Sequence, residues 1–253
     1  MAIHAEKRIG IISCVSNYKL YEGLQKSLHT NKHIQLTPIN NTTNRYSIPS
    51  AYNTALNNCD ADILVFVHQD VIFPSEWLEN LDNQIKEIEK FDKKWGVLGI
   101  MGRKKNGSYA GHIIDPHINY RIGRVGLLPT PVSTLDEVCL IIRRSGGLSF
   151  DNELGGYHLY GTDICLQAQK IGLKCYAIDA CLTHLSAGNV DESYYTVLTK
   201  LQEKWSRQIK CPNVIHTTVG TWRLKRGITP AIIFFIYRLR RSMIRLRKKI
   251  GLS

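Results

Sequence analysis

The sequence of 253 residues predicts an α/β fold, in which a mostly parallel central sheet is flanked by helices. Short runs of branched and aromatic residues recur along the chain, and this composition is typical of strands buried on both faces of a parallel sheet. Segments with apolar residues at helical spacing separate several of these runs. Strands that alternate with helices form right-handed βαβ units, which indicates a sheet built mainly from parallel strands.

The predicted elements follow from these patterns in order along the chain. The predicted strands lie at 9–15, 33–39, 63–67, 97–101, 138–142, 175–178 and 181–185, and the predicted helices at 20–28, 49–58, 78–88 and 161–172. For the last helix, Thr162 is predicted as the N-cap residue and Gly172 as the stop. The segment 102–131 has no periodicity, so it is a functional loop, a disordered segment or an insertion without a function.

The composition is that of an ordinary globular protein. Hydrophobic residues make up 43% of the chain and charged residues 21%, which is enough apolar material for a sizeable core. No run approaches the roughly 20 apolar residues needed to cross a bilayer. The polar N-terminus leads directly into a predicted strand, so it is not a signal peptide. Seven cysteines without a secretory signal indicate reduced thiols in a cytosolic compartment.

The net charge of +12 is concentrated at the C-terminal end of the chain. From Thr221 onward there are ten basic residues and no acidic ones, which leaves 23 basic and 21 acidic residues in the rest. The basicity is therefore a property of the tail. We predict a globular domain over 1–220 and a basic, membrane-associating tail over 221–253.

The tail has the pattern of an amphipathic helix. After Pro230, apolar residues recur with the period of a helix and form one stripe, and Arg241, Arg245 and Lys248 lie on the opposite face. A helix of this kind lies in a membrane interface, so we predict that residues 230–250 bind an anionic membrane surface. The alternative is a helix that docks on the protein's own core or on a partner.

Candidate functional residues stand at the ends of apolar segments. The sequence has no Gly-x-Gly-x-x-Gly, Walker-type loop, Gly-x-Ser-x-Gly elbow or His-Glu-x-x-His, which argues against a dinucleotide oxidoreductase, a kinase or a serine hydrolase. Asp70 follows the predicted strand at 63–67, where an open α/β sheet binds ligands. Asp163 and His184 hold comparable positions later in the chain. Their structural alternatives are a turn for Asp70, a stabilised helix N-terminus for Asp163 and a hydrogen-bonded core histidine for His184.

Four segments together resemble family 2 nucleotide-sugar glycosyltransferases of the GT-A, Rossmann-like fold, and the resemblance covers roughly residues 8–190. The segments are 53–70, which ends in His68-Gln69-Asp70, 136–151, Tyr160-Gly-Thr-Asp163 with the residues after it, and 181–188 around His184. The His-Gln-Asp sequence resembles a variant of the family's Asp-x-Asp motif found in bacterial polysaccharide or O-antigen enzymes.

The resemblance implies a role for each of these residues. Asp70 and His184 would bind Mn²⁺ or Mg²⁺, because such an ion takes carboxylate, imidazole and phosphate ligands. Asp163 would be the catalytic base that deprotonates the acceptor hydroxyl, in an inverting reaction. The residues expected to contact the nucleotide-sugar donor, for which a UDP-sugar is favoured, are Ser16, Asn17, His68, Gln69 and Asp70. The chain departs from the family pattern where His68 replaces the first acid of Asp-x-Asp and Thr162 replaces the acid before Asp163.

The resulting hypothesis is a hexosyltransferase of polysaccharide biosynthesis that acts on a lipid-linked glycan. It would be cytoplasmic and peripheral on the inner face of the cell membrane, with no nucleic acid among its partners. One alternative is a catalytically inactive, membrane-associated scaffold of the same fold. The other is a nucleic-acid-binding protein that uses the basic tail, although the sequence has no recognisable DNA- or RNA-binding motif.

Overall fold

The computed structural model describes residues 7–28, 33–117, 127–188, 190–208 and 212–224, together with the backbone of 120–122. The predicted membrane-binding helix over 230–250 lies outside the described residues. The hairpin of β15 (Val214–His216) and β16 (Thr221–Arg223) spans the predicted boundary between residues 220 and 221. Trp222 in this hairpin packs against the apolar core. The division of the chain at that boundary stays a prediction.

The described residues form five α-helices and sixteen strands. The helices are α1 (Tyr18–Ser27), α2 (Ile48–Asn58), α3 (Trp77–Phe91), α4 (Tyr160–Lys170) and α5 (Glu192–Ser206). In chain order the strands are β1 (Ile9–Val15), β2 (Ile34–Asn40), β3 (Ile63–Val67), β4 (Val71–Ile72), β5 (Trp95–Gly99), β6 (Met101–Arg103), β7 (Tyr109–Gly111), β8 (Ile113–Asp115), β9 (Tyr120–Ile122), β10 (Thr130–Val132), β11 (Thr134–Leu135), β12 (Cys139–Arg143), β13 (Lys174–Ala177), β14 (Thr183–His184), β15 and β16.

The central sheet has seven strands in the order β10-β13-β5-β12-β3-β1-β2. Strands β1, β2, β3, β5 and β13 run in one direction, whereas β12 is antiparallel to both of its neighbours and β10 is antiparallel to β13. The predicted α/β fold with a mostly parallel sheet is therefore confirmed. The reversal of β12 was not predicted, because a buried apolar run carries no information about strand direction.

Helices cover both faces of this sheet and enclose two apolar clusters. Along β1, Ile12 and Cys14 point into the cluster that includes α2, α4 and α5. Ile9, Ile11 and Val15 point into the cluster that includes α1 and α3. This alternation follows from the two-residue period of a strand, and each fully buried side chain of this size contributes about 1.5–3 kcal/mol.

The predicted elements match the observed ones best where the apolar signal is longest. The predicted strands at 9–15 and 63–67 coincide with β1 and β3. The segment 102–131, which showed no periodicity, contains described strands of three residues each, and such strands are too short to produce a pattern. Within the described part of the chain, no helix combines the length and the apolar character that crossing a bilayer requires.

Candidate active site

A cavity of about 490 Å³ opens at the sheet edge where β1 and β3 end. This volume lies in the range of small-molecule binding sites, roughly 300–1,000 Å³. Its lining includes Ser16, His68, Gln69, Asp70, Asp115, Asp136, Glu137, His158, His184, Ser186 and Tyr194. Of the residues predicted from the sequence, Asn17 and Asp163 are not among the described residues that line it.

The topology of three adjacent strands brings the polar side chains to this edge. Strands β1 and β3 are parallel neighbours, so the residues after their carboxyl ends lie side by side. Because β12 is antiparallel to β3, its amino end reaches the same edge, where Cys139 pairs with Val67. The backbone N–H of His68 then donates to the carbonyl of Val138 at 3.1 Å. Asp136 and Glu137, which immediately precede β12, thereby enter the cavity wall.

His184 reaches the site through a small second sheet. Its strand β14 pairs with β4, so that His184 lies opposite Val71. In addition, the backbone N–H of Leu185 donates to the carbonyl of Asp70 at 2.8 Å. These pairings hold the two segments that carry Asp70 and His184 against each other, although 114 positions separate them in the chain.

His68, Asp70 and His184 form a compact cluster, which we call the imidazole–carboxylate trio. His184 Nε2 lies 3.3 Å from His68 Nδ1 and 3.4 Å from Asp70 Oδ1. One ligand atom from each side chain lies within 4.8 Å of the other two. Neighbouring ligands of an octahedral ion with bonds of about 2.1 Å are about 3 Å apart, so the trio fits a divalent cation. Two imidazoles with one carboxylate suit Mn²⁺ better than Mg²⁺.

The electrostatics of the trio follow from burial and from the neighbouring charges. Burial would raise the pKa of Asp70, but the hydrogen bond and the charge of His184 outweigh it and hold that pKa well below its ordinary value. Burial would likewise lower the pKa of His184, but Asp70 raises it above 6.5. Burial and the charge of His184 together lower the pKa of His68 to about 4. His68 is therefore a neutral imidazole at pH 7, with one nitrogen lone pair available as a ligand.

The charge of the lining is strongly one-sided. Four acidic side chains, those of Asp70, Asp115, Asp136 and Glu137, line the cavity, and none of the described lining residues is Lys or Arg. An anionic ligand such as a diphosphate would meet repulsion here unless a cation entered with it. Binding of an anion in this cavity would therefore depend on the binding of a cation.

Gln69 organises the loop that follows β1. Its Oε1 accepts hydrogen bonds from the backbone N–H groups of Ser16 at 2.9 Å and Asn17 at 2.8 Å, and its Nε2 donates to Ser16 Oγ at 3.0 Å. The side chain of Asn17 caps α1 by accepting from the N–H of Lys19. Ser16 and Gln69 thus line the cavity, whereas Asn17 shapes the loop.

Glu137 occupies the N-terminus of α4. The backbone N–H groups of Leu159, Gly161 and Thr162 favour the charged form of its carboxyl group. The prediction of Thr162 as N-cap is therefore wrong, since α4 begins at Tyr160 and no side chain of its own segment caps it. Burial, with a smaller contribution from the charge of Asp136, raises the pKa of Glu137 to about 8, although the three N–H groups oppose this.

Asp163 lies on the side of α4 that packs against α5. Its carboxylate is 1% exposed and accepts hydrogen bonds from Lys204 Nζ, Trp205 Nε1 and Gln167 Nε2, each at 2.7 Å. Lys204 also pairs with Asp151 at 2.6 Å. The structure therefore does not bring Asp163 together with Asp70, and the surroundings of Asp163 are those of a structural ion pair.

Sequence reasoning missed three roles at this site. His68 was predicted to contact only the donor, yet it stands within the imidazole–carboxylate trio. Its spacing, His68-x-Asp70 at a strand end, is the signal that pairs it with Asp70. Asp136 and Glu137 were read only as residues before a strand, because the reversed direction of β12 has no sequence signature.

Comparisons with known proteins agree with this fold. A model of the "Glycosyltransferase like family" matches residues 10–181. A protein of Fuscovulum blasticum described as "ATP synthase subunits region ORF 6" is 31% identical over 194 residues, which cover 74% of this chain and 77% of that protein.

Three solved structures are similar in fold at low sequence identity. GalNAc-T7 with UDP, GalNAc and Mn²⁺ has a TM-score of 0.54 at 9% identity, with 81% of this chain covered and about half (49%) of the other. The mannosyltransferase PcManGT of Pyrobaculum calidifontis with GDP-Man and Mn²⁺ has a TM-score of 0.55 at 13% identity, with 83% of this chain and 67% of the other covered. TarS 1–349 of S. aureus with UDP-GlcNAc has a TM-score of 0.52 at 14% identity, with 81% of this chain and 68% of the other covered. The chain therefore belongs to the glycosyltransferase-like family, as its motifs predicted, and is a glycosyltransferase with the GT-A fold.

Proposed function

We propose that this protein transfers a sugar from a nucleotide-sugar donor to an acceptor hydroxyl, with Mn²⁺ or Mg²⁺ held by His68, Asp70 and His184. The observation that carries the proposal is the imidazole–carboxylate trio in a cavity whose described lining has no Lys or Arg. A donor diphosphate needs positive charge, and a cation on the trio would supply it. Two of the similar structures contain UDP or a UDP-sugar and one contains GDP-Man, which favours a UDP-sugar without fixing it.

Within this proposal, one set of side chains holds the cation and another holds the donor nucleotide. The bound cation would stabilise the negative charge that develops on the departing diphosphate. Ser16 and Gln69 would hold the donor nucleotide at the carboxyl end of β1. Asp70 would contribute the negative charge of the cation site, and His68 and His184 would each contribute a nitrogen.

We assign the general base to Glu137 instead of Asp163. Glu137 lines the cavity, and a pKa of about 8 is close to the pH at which a base must act. Three backbone N–H groups at the start of α4 favour its charged form, which is the form that accepts a proton. Asp163 does not suit this role, since it does not line the cavity and its oxygens already accept hydrogen bonds from Lys204 and Trp205. A single displacement assisted by one base would invert the anomeric centre.

The test is release of free nucleotide from a panel of sugar nucleotides with Mn²⁺. Glu137→Gln should lower kcat by about 100- to 10,000-fold, the range for loss of a general base, without a fall in Tm. Asp70→Asn should lose the Mn²⁺-dependent activity. Glu153→Gln, which changes an exposed carboxylate that does not line the cavity, is the matched control. Normal turnover in Glu137→Gln would remove Glu137 from this role. If the wild-type protein turns over none of the donors in the panel, the inactive scaffold is favoured.

We also propose that the acceptor is a lipid-linked glycan of bacterial polysaccharide biosynthesis, met at the inner face of the cell membrane. The support is the basic, amphipathic pattern of residues 221–253, set against the nearly neutral remainder. The full-length protein should float with anionic vesicles and not with neutral ones. A variant in which Arg241, Arg245 and Lys248 are changed to Glu should not float with the anionic vesicles. Equal flotation of both proteins would contradict the membrane role of the tail.

A further inference from the structure

A chain of hydrogen bonds connects the imidazole–carboxylate trio to the main chain before β12. His184 Nε2 lies 3.3 Å from His68 Nδ1, and His68 Nε2 lies 3.1 Å from the hydroxyl of Tyr160. That hydroxyl lies 3.2 Å from the carbonyl oxygen of Glu137. Tyr160 is 1% exposed, so no bulk water competes for these contacts.

The last contact fixes the direction of the others. The carbonyl oxygen of Glu137 can only accept, so the single proton of the Tyr160 hydroxyl is donated to it. Towards His68 the hydroxyl then presents a lone pair, and His68 Nε2 must donate. A neutral imidazole carries one N–H, which leaves Nδ1 of His68 unprotonated and directed at the other members of the trio.

We propose that Tyr160 is a positioning residue, which holds His68 in the Nε2–H tautomer and so makes His68 Nδ1 a cation ligand. The inference rests on the proposed function, because it assumes that the trio binds a cation. It explains how the imidazole of His68 can bind a cation at the position where the family pattern has the first carboxylate of Asp-x-Asp. A histidine must be held in one tautomer to act as a fixed ligand, and its second ring nitrogen needs a partner that does so.

Tyr160→Phe isolates this role from packing. The ring of Tyr160 packs edge-on against Tyr52 and Phe150, at centroid distances of 5.7 and 6.0 Å, and phenylalanine keeps both contacts. Loss of an outer partner of a metal ligand typically weakens metal binding by about 10- to 100-fold. We expect a loss of this size for Mn²⁺ binding to the full-length variant in the absence of donor. Electron paramagnetic resonance of free Mn²⁺ measures it.

The matched control is Tyr176→Phe. Tyr176 is also buried, but its hydroxyl bonds to Asp92 Oδ2 at 2.8 Å, and it is not among the described residues that line the cavity. This variant should bind Mn²⁺ like the wild type. His68→Ala gives the Mn²⁺ affinity of a site that lacks the imidazole of His68. Wild-type affinity in Tyr160→Phe would overturn the inference, even where the wild type binds Mn²⁺ and releases nucleotide.

A second measurement needs neither metal nor donor. Two-bond ¹H–¹⁵N correlation spectra of the wild-type protein report which nitrogen of each neutral histidine carries the proton. We expect protonated Nε2 and unprotonated Nδ1 for His68, assigned by comparison with His68→Ala. The opposite tautomer overturns the inference whatever the metal titrations give. A wild-type protein with the expected tautomer and no affinity for Mn²⁺ refutes the proposed function and, with it, the ligand role of His68.

Discussion

Replacement of Asp163 by Asn should destabilise the protein and leave its catalysis intact. The Asp163 carboxylate joins α4 to α5 through Lys204 and Trp205 and is almost completely buried. Asparagine keeps the shape of the side chain and removes the charge. If Asp163 were instead the base that deprotonates the acceptor, the same change would abolish turnover without affecting stability. The two roles therefore predict opposite results from one variant.

The size of the effect follows from the partners that remain. Removing one member of a fully buried ion pair costs about 3–5 kcal/mol. Here the Lys204 side chain is 29% exposed and keeps Asp151, so water and a second carboxylate compensate in part. One charge-assisted hydrogen bond is lost, which costs about 2 kcal/mol. For a chain of this size we expect Tm to fall by about 4–8 °C.

Thermal unfolding and steady-state release of nucleotide measure the two quantities. The double variant Asp151→Asn, Asp163→Asn leaves Lys204 without either carboxylate and should lose more stability than the two single changes together. Asp151→Asn alone is the control for the compensating contact. A kcat reduced 100-fold or more at an unchanged Tm would refute the structural role and return the base to Asp163.

Four further predictions concern Glu137 and Gln69 of the cavity wall and Gly161 beside it. The pKa of Glu137 is raised from 4.5 to about 8, so kcat/KM should rise with pH up to about 8, and it should level off at a lower pH once a nearby cation lowers that pKa. For the same reason the protonated folded form is favoured, so Tm measured across pH should fall between about pH 5 and 8, and Glu137→Gln should remove that fall. Gln69→Ala leaves the N–H groups of Ser16 and Asn17 without their acceptor and should raise the KM for the donor by about tenfold, measured by initial rates. Gly161→Ala places a methyl group 3.0 Å from Glu137 Cγ and should lower kcat by about tenfold in the same assay, because small displacements of a base are costly.

The sequence alone was enough to predict those features that depend on a single strand or helix. The strands β1 and β3 could be predicted to the residue, because each is a compact apolar run bounded by polar residues. The position of Asp70 followed from the end of β3. The resemblance also pointed to Asn53, and its side chain both donates to and accepts from the backbone of Phe150, at 2.7 and 2.9 Å. That contact ties α2 to the segment before α4.

The roles that depend on long-range pairing could not be predicted. Asp163 stands near the start of a helix in a family motif, and only its contact with α5, about 40 residues later, identifies it as part of an ion pair. Glu137 lies beside the first turn of a helix that begins more than 20 residues after it. Periodicity and local composition report which face of an element is apolar, and neither reports which distant polar group will meet it.

The reversed strand has a consequence for how such an enzyme can change its substrate. Asp136 and Glu137 are attached directly to β12, which is hydrogen-bonded on both sides by β3 and β5. Both side chains are thus anchored to the central sheet. The walls formed by Gly188, Thr218 and Val219 come from connecting segments instead. New sugars can therefore be accommodated by remodelling those connections, while the acid pair keeps its place.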